Sequence, residues 1–417
     1  MAWPTTNARV RRLIGAFALG ALCATAAPAT GDKTAYISGI GVGIVGQGTV
    51  NGCRESCGWQ FIHVIDLQAV ADPGWHLHGW DGACPRQGNP CRVYTAFITQ
   101  CPSCPPLPVN QSTVAIFIQN GPVRGDANGD GKADLFWREA PPGRGVSWWS
   151  MNGAAVAAAN YLEVGSEWQV AGLGDFDGDG RADLLWRRAA DGALYLWTLE
   201  GQAIKGFHDL GVVDPAAWAI AGIADFDGDS RADILWRHAD GTLYGWLMDG
   251  GTIVSQAAMT SPDNGWVVVA TTDAEDDGMA DIIFRHAVSG EVVRWYMRGL
   301  VPSGAHRYGA WDPSSWSLDA IADFDGDYRP DFLWRSPAGD TWVTPLGPTR
   351  PDAGALLGNP DTVWGIHAVG DLDGDGTSDL VWRNAGGAVY LWRIRGAAPV
   401  AFEPIANPGG NWGIVAP

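Results

Sequence analysis

Asp175-Phe176-Asp177-Gly178-Asp179-Gly180-Arg181-Ala182-Asp183-Leu184-Leu185-Trp186-Arg187 is one of six copies of a single pattern. The leading Asp recurs at Asp126, Asp175, Asp225, Asp273, Asp323 and Asp371, in steps of 49, 50, 48, 50 and 48 residues. Such a period accommodates one four-stranded propeller blade. The expected fold is therefore all-β, a β-propeller of six blades.

Within each copy the acidic residues fall at positions 1, 3, 5 and 9, an oxygen-rich spacing suited to a hard cation with six to eight oxygen ligands, with calcium as its natural occupant. The side-chain candidates are Asp126, Asn128, Asp130 and Asp134 in the first loop, then Asp175, Asp177, Asp179 and Asp183 in the second. The third offers Asp225, Asp227, Asp229 and Asp233, and the fourth Asp273, Glu275, Asp277 and Asp281. The fifth offers Asp323, Asp325, Asp327 and Asp331, and the sixth Asp371, Asp373, Asp375 and Asp379. Position 7 is Lys132, Arg181, Arg231, Met279, Arg329 or Thr377, a variety that suits a ligand supplied by the backbone carbonyl, leaving side-chain identity free.

An EF-hand would place a bidentate Glu at position 12 and continue into a helix. Here position 12 is Trp137, Trp186, Trp236, Phe284, Trp334 or Trp382, inside short β-favouring runs, so each loop joins two strands. Two-residue turns such as Asp191-Gly192 and Glu200-Gly201 then divide the second repeat into strands at about 168–174, 182–188, 193–199 and 203–210.

These loops resemble the FG-GAP and VCBS repeat family, whose calcium loops read Asp-x-Asp-x-Asp-Gly-x-x-Asp and whose blades form the propellers of integrin α-subunits and several lectins. The resemblance spans about residues 121–417. It implies calcium as cofactor and a binding or adhesion role toward glycans or an extracellular protein surface. Some carbohydrate lyases also stand on calcium-loop propellers, which makes a polysaccharide-degrading enzyme the alternative. Four copies depart from the pattern. Asn128 replaces an Asp, the fourth loop reads Asp273-Ala274-Glu275-Asp276-Asp277, and Ser230 and Tyr328 stand where Gly would take a positive φ without strain.

The net charge of −19 belongs largely to these loops, which hold 24 of the 46 Asp and Glu residues; six calcium ions would bring it to about −7. Clustered positive charge of the kind nucleic acid requires is missing from this pattern. No Gly-x-Ser-x-Gly elbow, Walker loop or His-Glu-x-x-His motif occurs in the sequence.

Arg9, Arg11 and Arg12, the apolar run from Leu13 to Leu22 and the small residues up to Ala29 read as a secretory signal peptide over residues 1–29, too short to span a bilayer. The expected location is secreted, periplasmic or at the cell surface. Six cysteines then remain, all between Cys53 and Cys104, and an even, clustered count in an exported chain reads as disulfides. Proximity suggests Cys53 with Cys57, Cys84 with Cys91 and Cys101 with Cys104. Residues 30–120 form a small β domain resembling the bacterial β-repeats related to internalin B-repeats, in Gly79-Trp80-Asp81-Gly82-Ala83-Cys84 above all. His76 and His78 lie two apart there, with a surface role and a metal-binding role both open.

Two sets of tryptophans recur, Trp168, Trp218, Trp266, Trp316 and Trp364 before the loops and Trp197, Trp246, Trp295, Trp342 and Trp392 in the third strands. Packing between blades and stacking on sugar rings are the two readings. One Arg per blade (Arg138, Arg187, Arg237, Arg285, Arg335 and Arg383) is placed to pair with a loop or rim a ligand site. Finally, residues 411–417 repeat residues 363–369 with no loop after them, while the Asp126 loop has no Trp strand before it. The Trp412 strand is therefore expected to complete the first blade and close the ring.

Overall fold

The structure, a computed structural model, describes residues 123–415 apart from residues 276 and 347–353, together with seven strands among the first 120 residues. The chain divides into two compact units, Met1–Asn120 and Gly121–Pro417. In the first, strands Thr34–Ile37, Ile40–Val45, Gln111–Gln119 and Trp75–Gly82 form one sheet in that order, with a parallel pair between the second and third. Gly48–Asn51, Ile62–Ala71 and Cys91–Ala96 form a second, antiparallel sheet. The expected signal peptide and cysteine pairings lie outside the described residues.

The second unit is a six-bladed propeller. Blade two runs Trp168–Gly174, Asp183–Arg188, Ala193–Glu200 and Ala203–Val212 as an antiparallel meander, and blades three to six repeat it. Blade one is assembled from both ends of the unit. Trp412–Val415 pairs antiparallel with Leu135–Glu139, which is followed by Gly145–Asn152 and Ala155–Ala159. The ring closes through this carboxyl-terminal strand, which supplies the inner strand that blade one otherwise lacks.

First strands pack against one another from blade to blade around the axis, and this spacing explains Gly172. A Cβ added there would stand 2.2 Å from Cδ1 of Ile223 in the next blade. The core lies between blades. Leu184, Leu185 and Trp186 in blade two are buried, and Trp186 packs with Phe136, Val146 and Trp148 of blade one. The third-strand tryptophans join this layer, with Trp197, Trp246, Trp295 and Trp392 lying 4.8–5.0 Å, centroid to centroid, from the position-12 ring beside them. The first-strand set meets neighbouring rings edge-on, as in Trp168 against Tyr195 at 5.4 Å and Trp364 against Tyr390 at 5.5 Å. Both tryptophan sets thus serve packing, and Trp266 of the first-strand set also lines a cleft.

Candidate metal centres

Loops two to six connect the first strand of a blade to its second, and loop one leads into the second strand of blade one, so all six share one face of the ring with the turns between third and fourth strands. Position 1 is wrapped by the loop it opens. Asp175 Oδ1 accepts from the N–H of Gly178 and Asp179 and its Oδ2 from Gly180, at 2.8–3.1 Å. The same position-6 donor reaches Oδ2 of Asp126, Asp225, Asp273, Asp323 and Asp371 at 2.7–2.8 Å. This curl demands a positive φ at position 6, which Gly180 adopts at +85°. Ser230 and Tyr328 adopt it too, at +72° and +65°, at a local cost of about 1–2 kcal/mol. The two loops without Gly at position 6 therefore keep the fold of the rest.

Position 9 ties the loop to its blade. Asp183 is fully buried; Oδ1 accepts from Leu199 N–H at 2.8 Å and Oδ2 from Phe176 N–H at 2.9 Å. Asp134, Asp233, Asp331 and Asp379 repeat both bonds with the third strand and position 2. Burial pushes Asp183, Asp233, Asp331 and Asp379 up to about 8 and Asp134 and Asp281 to about 7; backbone N–H donors oppose the shift and neighbouring carboxylates add to it. Asp175 and Asp225 rise to about 6 for the same reasons. Crowded, desolvated carboxylates of this kind favour a cation among them.

Four loops bring three carboxylates together, with ligand atoms within 4.8 Å of one another: Asp175, Asp177 and Asp183; Asp225, Asp227 and Asp229; Asp323, Asp325 and Asp331; Asp371, Asp373 and Asp379. These all-oxygen sets fit calcium. In the remaining loops the structure does not bring three together among the described residues. Asn128 Oδ1 accepts from Asp130 N–H at 2.8 Å, and its Nδ2 faces Asp130 Oδ2 at 3.3 Å. In the fourth loop Glu275 and Asp281 converge on an arginine instead.

Position 7 is not idle. Lys132, Arg181, Arg231 and Arg329 each pair with the position-5 Asp of their own loop, and the Thr377 hydroxyl donates to Asp375. Lys132, Arg181, Arg231, Met279 and Thr377 also lie against the position-4 glycine of the preceding loop; a Cβ on Gly129 would stand 3.1 Å from Arg181 Nε, and one on Gly228 3.2 Å from Met279 Cγ. Backbone bonds link the loops as well. The N–H at position 8 donates to the position-1 carbonyl of the loop before it at 2.6 Å, from Ala133, Ala182, Ala232, Ala280 and Ser378. Pro330 occupies position 8 of the fifth loop and has no N–H to give.

The arginines at position 13 reach backbone carbonyls of the next blade instead of loop carboxylates, and Arg237 also lines a cleft between blades three and four. Arg285 Nη2 donates to the carbonyls of Trp311 and Trp316 at 3.0 and 2.7 Å while its guanidinium lies 5.2 Å from the Trp334 ring. Arg138, Arg187, Arg335 and Arg383 likewise hold the segment leading to the next blade and lie over Trp186, Trp236, Trp382 and Trp137. They are inter-blade clamps.

Two clefts complete the picture. One of about 430 Å3 on the loop face is lined by Asn152, Asp373, Arg393 and Glu403. The other, of about 500 Å3 between blades three and four, is lined by Arg237, His238, Asn264 and Trp266.

Residues 126–186 and 175–236 match the FG-GAP-like repeat, and residues 364–392 match the FG-GAP repeat. With the six blades, these matches support the FG-GAP propeller family. No curated protein matches the chain in sequence. Among solved structures, the chain is similar to one in a nidogen/laminin complex (14% identity, TM-score 0.44, 68% of this chain and 96% of that one). It is also similar to AofleA from Arthrobotrys oligospora (13%, 0.47, 70% and 87%) and to the Photorhabdus luminescens Tc holotoxin pore (12%, 0.41, 83% and 18%).

Proposed function

We propose that the chain is an exported, calcium-dependent binding module whose propeller recognises a glycan or another extracellular surface. The convergence of three carboxylates in each of four equivalent loops carries the reading, because it is the arrangement a hard cation requires. In these loops the position-1, position-3 and position-9 or position-5 carboxylates would hold the ion. Bound calcium would neutralise the crowding at the inter-blade contacts and hold the loop face in one conformation. For the ligand, the cleft between blades three and four offers an indole face at Trp266 beside the polar groups of Arg237, His238 and Asn264. That combination suits a pyranose ring and its hydroxyls.

The test is a glycan array with calcium and with chelator, beside an assay for new reducing ends on the same polysaccharides. Calcium-dependent binding without bond cleavage supports the module. New reducing ends would favour the alternative, a polysaccharide-degrading enzyme on the same scaffold.

A further inference from the structure

Five loops meet cations that stand near the surface, with side chains 23–64% exposed: Lys132, Arg181 and Lys205, Arg231, Arg329, and Arg393 with Arg395. The fourth differs. Its position 7 is the uncharged Met279, and the cation comes from inside the blade. Arg294 sits in the third strand opposite Ile283, the register held by Leu196, Val343 and Leu391 in blades two, five and six. Those three side chains are wholly buried, and Arg294 itself is only 6% exposed.

A guanidinium in an apolar layer costs several kcal/mol unless it is paired, and its partners are the loop's own acids. Nη2 lies 3.3 Å from Glu275 Oε2 and Nε 3.7 Å from Asp281 Oδ2. Glu275 is the one position-3 acid with the extra methylene, which lengthens its reach toward the third strand. Asp281 keeps its bond from Met297 N–H at 3.1 Å, but its Oδ2 makes no hydrogen bond. In the other five loops that oxygen accepts from the N–H at position 2. The Tyr296 ring, 4.3 Å from the guanidinium carbon, covers the group from another side.

We propose that Arg294 is the resident cation of the fourth blade, so that this loop takes no calcium and holds its shape without it. The fourth-loop residues therefore do not fit the metal, since an ion among Asp273, Glu275, Asp277 and Asp281 would face the buried positive charge that Glu275 and Asp281 already hold. The inference rests on the calcium reading of the other loops. It turns their calcium dependence into a property of part of the ring.

Bound calcium is counted by metal analysis after equilibrium dialysis, and melting is followed with calcium and with chelator, for the parent, Asp277→Asn, Asp177→Asn, Arg294→Leu and Arg294→Lys. The expected result is one ion lost in Asp177→Asn, a member of the second loop's converging set, and none in Asp277→Asn. Arg294→Leu gains one ion and melts lower than the parent in chelator, while Arg294→Lys keeps most of the chelator stability. An ion lost in Asp277→Asn, no ion gained in Arg294→Leu, or a chelator melt unchanged by Arg294→Leu would each overturn the proposal. Should Arg294→Leu fail to fold, the count for Asp277→Asn decides alone. If the parent takes up no calcium, the calcium reading falls, and the chelator melts of the two Arg294 variants still decide whether the guanidinium holds the blade.

Discussion

The second and fourth blades solve one electrostatic problem in opposite ways. In blade two, Lys205 reaches Asp177 and Asp179 at 2.8 and 3.0 Å from a side chain that is nearly half exposed. In blade four, Arg294 reaches its acids from the core and cannot leave without opening the sheet. An exposed ion pair contributes under about 1 kcal/mol and yields readily to a better cation. A buried one is held by the cost of leaving its partner unpaired. One loop motif thus gives an exchangeable site in one blade and a fixed one in another.

The largest test of this contrast is calcium removal. At ten times the dissociation constant each ion contributes RT ln 11, about 1.4 kcal/mol, so four loops together add about 6 kcal/mol. Calorimetry with chelator should show a melting point lower by many degrees. An unmoved transition would remove the contrast altogether.

Asp281→Ala should cost about 3 kcal/mol with or without calcium, because it leaves the buried Arg294 with Glu275 alone and the Met297 N–H without an acceptor. Asp183→Ala leaves the N–H groups of Leu199 and Phe176 without acceptors, for about 2–3 kcal/mol in chelator. Its cost should grow once calcium is added. Denaturant titrations in both conditions separate the two; equal calcium sensitivity would contradict the assignment of blade four.

A smaller effect concerns pH. The position-9 carboxylates have folded pKa values near 7 to 8, above the ordinary value of 3.8, so without calcium the folded state binds more protons than the unfolded state between those limits. Stability is then full below about pH 4 as far as these groups are concerned and is lost as pH rises toward 8. Calcium, which requires the ionised form, should flatten or reverse the slope and release protons near pH 7. Melting curves from pH 5 to 8 in chelator and in calcium check the sign. The smallest change expected is in Lys205→Ala, which should leave chelator stability within about 0.5 kcal/mol and tighten calcium binding modestly, as calorimetric titration would reveal.

The repeats, the strand plan and the closure by Trp412 were legible because each is a matter of spacing along the chain. Contacts between repeats were not. The Arg at position 13 is visible in every copy, yet that it clamps the next blade and covers its Trp depends on which blade faces which. Arg294 carries a faint signal, a charge where other copies have Leu196 and Leu391, but it becomes readable only when the register opposite Ile283 is known. The departures at Ser230 and Tyr328 drew notice for backbone reasons, and a single strained φ proved affordable. The loops that fail to gather three acids are the ones altered in donor chemistry, at Asn128, or supplied with an internal partner, at Glu275.

Pro330 gives the ring a direction of weakness. Five of the six junctions carry a 2.6 Å hydrogen bond from loop to loop, and the junction between blades four and five has a proline where the donor would be. That junction is held by first-strand packing and by the Arg285 clamp without the loop-to-loop bond, so it is where bending of the closed hoop is expected to concentrate. The hinge stands across the ring from the clasp made by Trp412–Val415 in blade one. Opening would therefore begin between blades four and five, with the strands at the two ends of the propeller still paired.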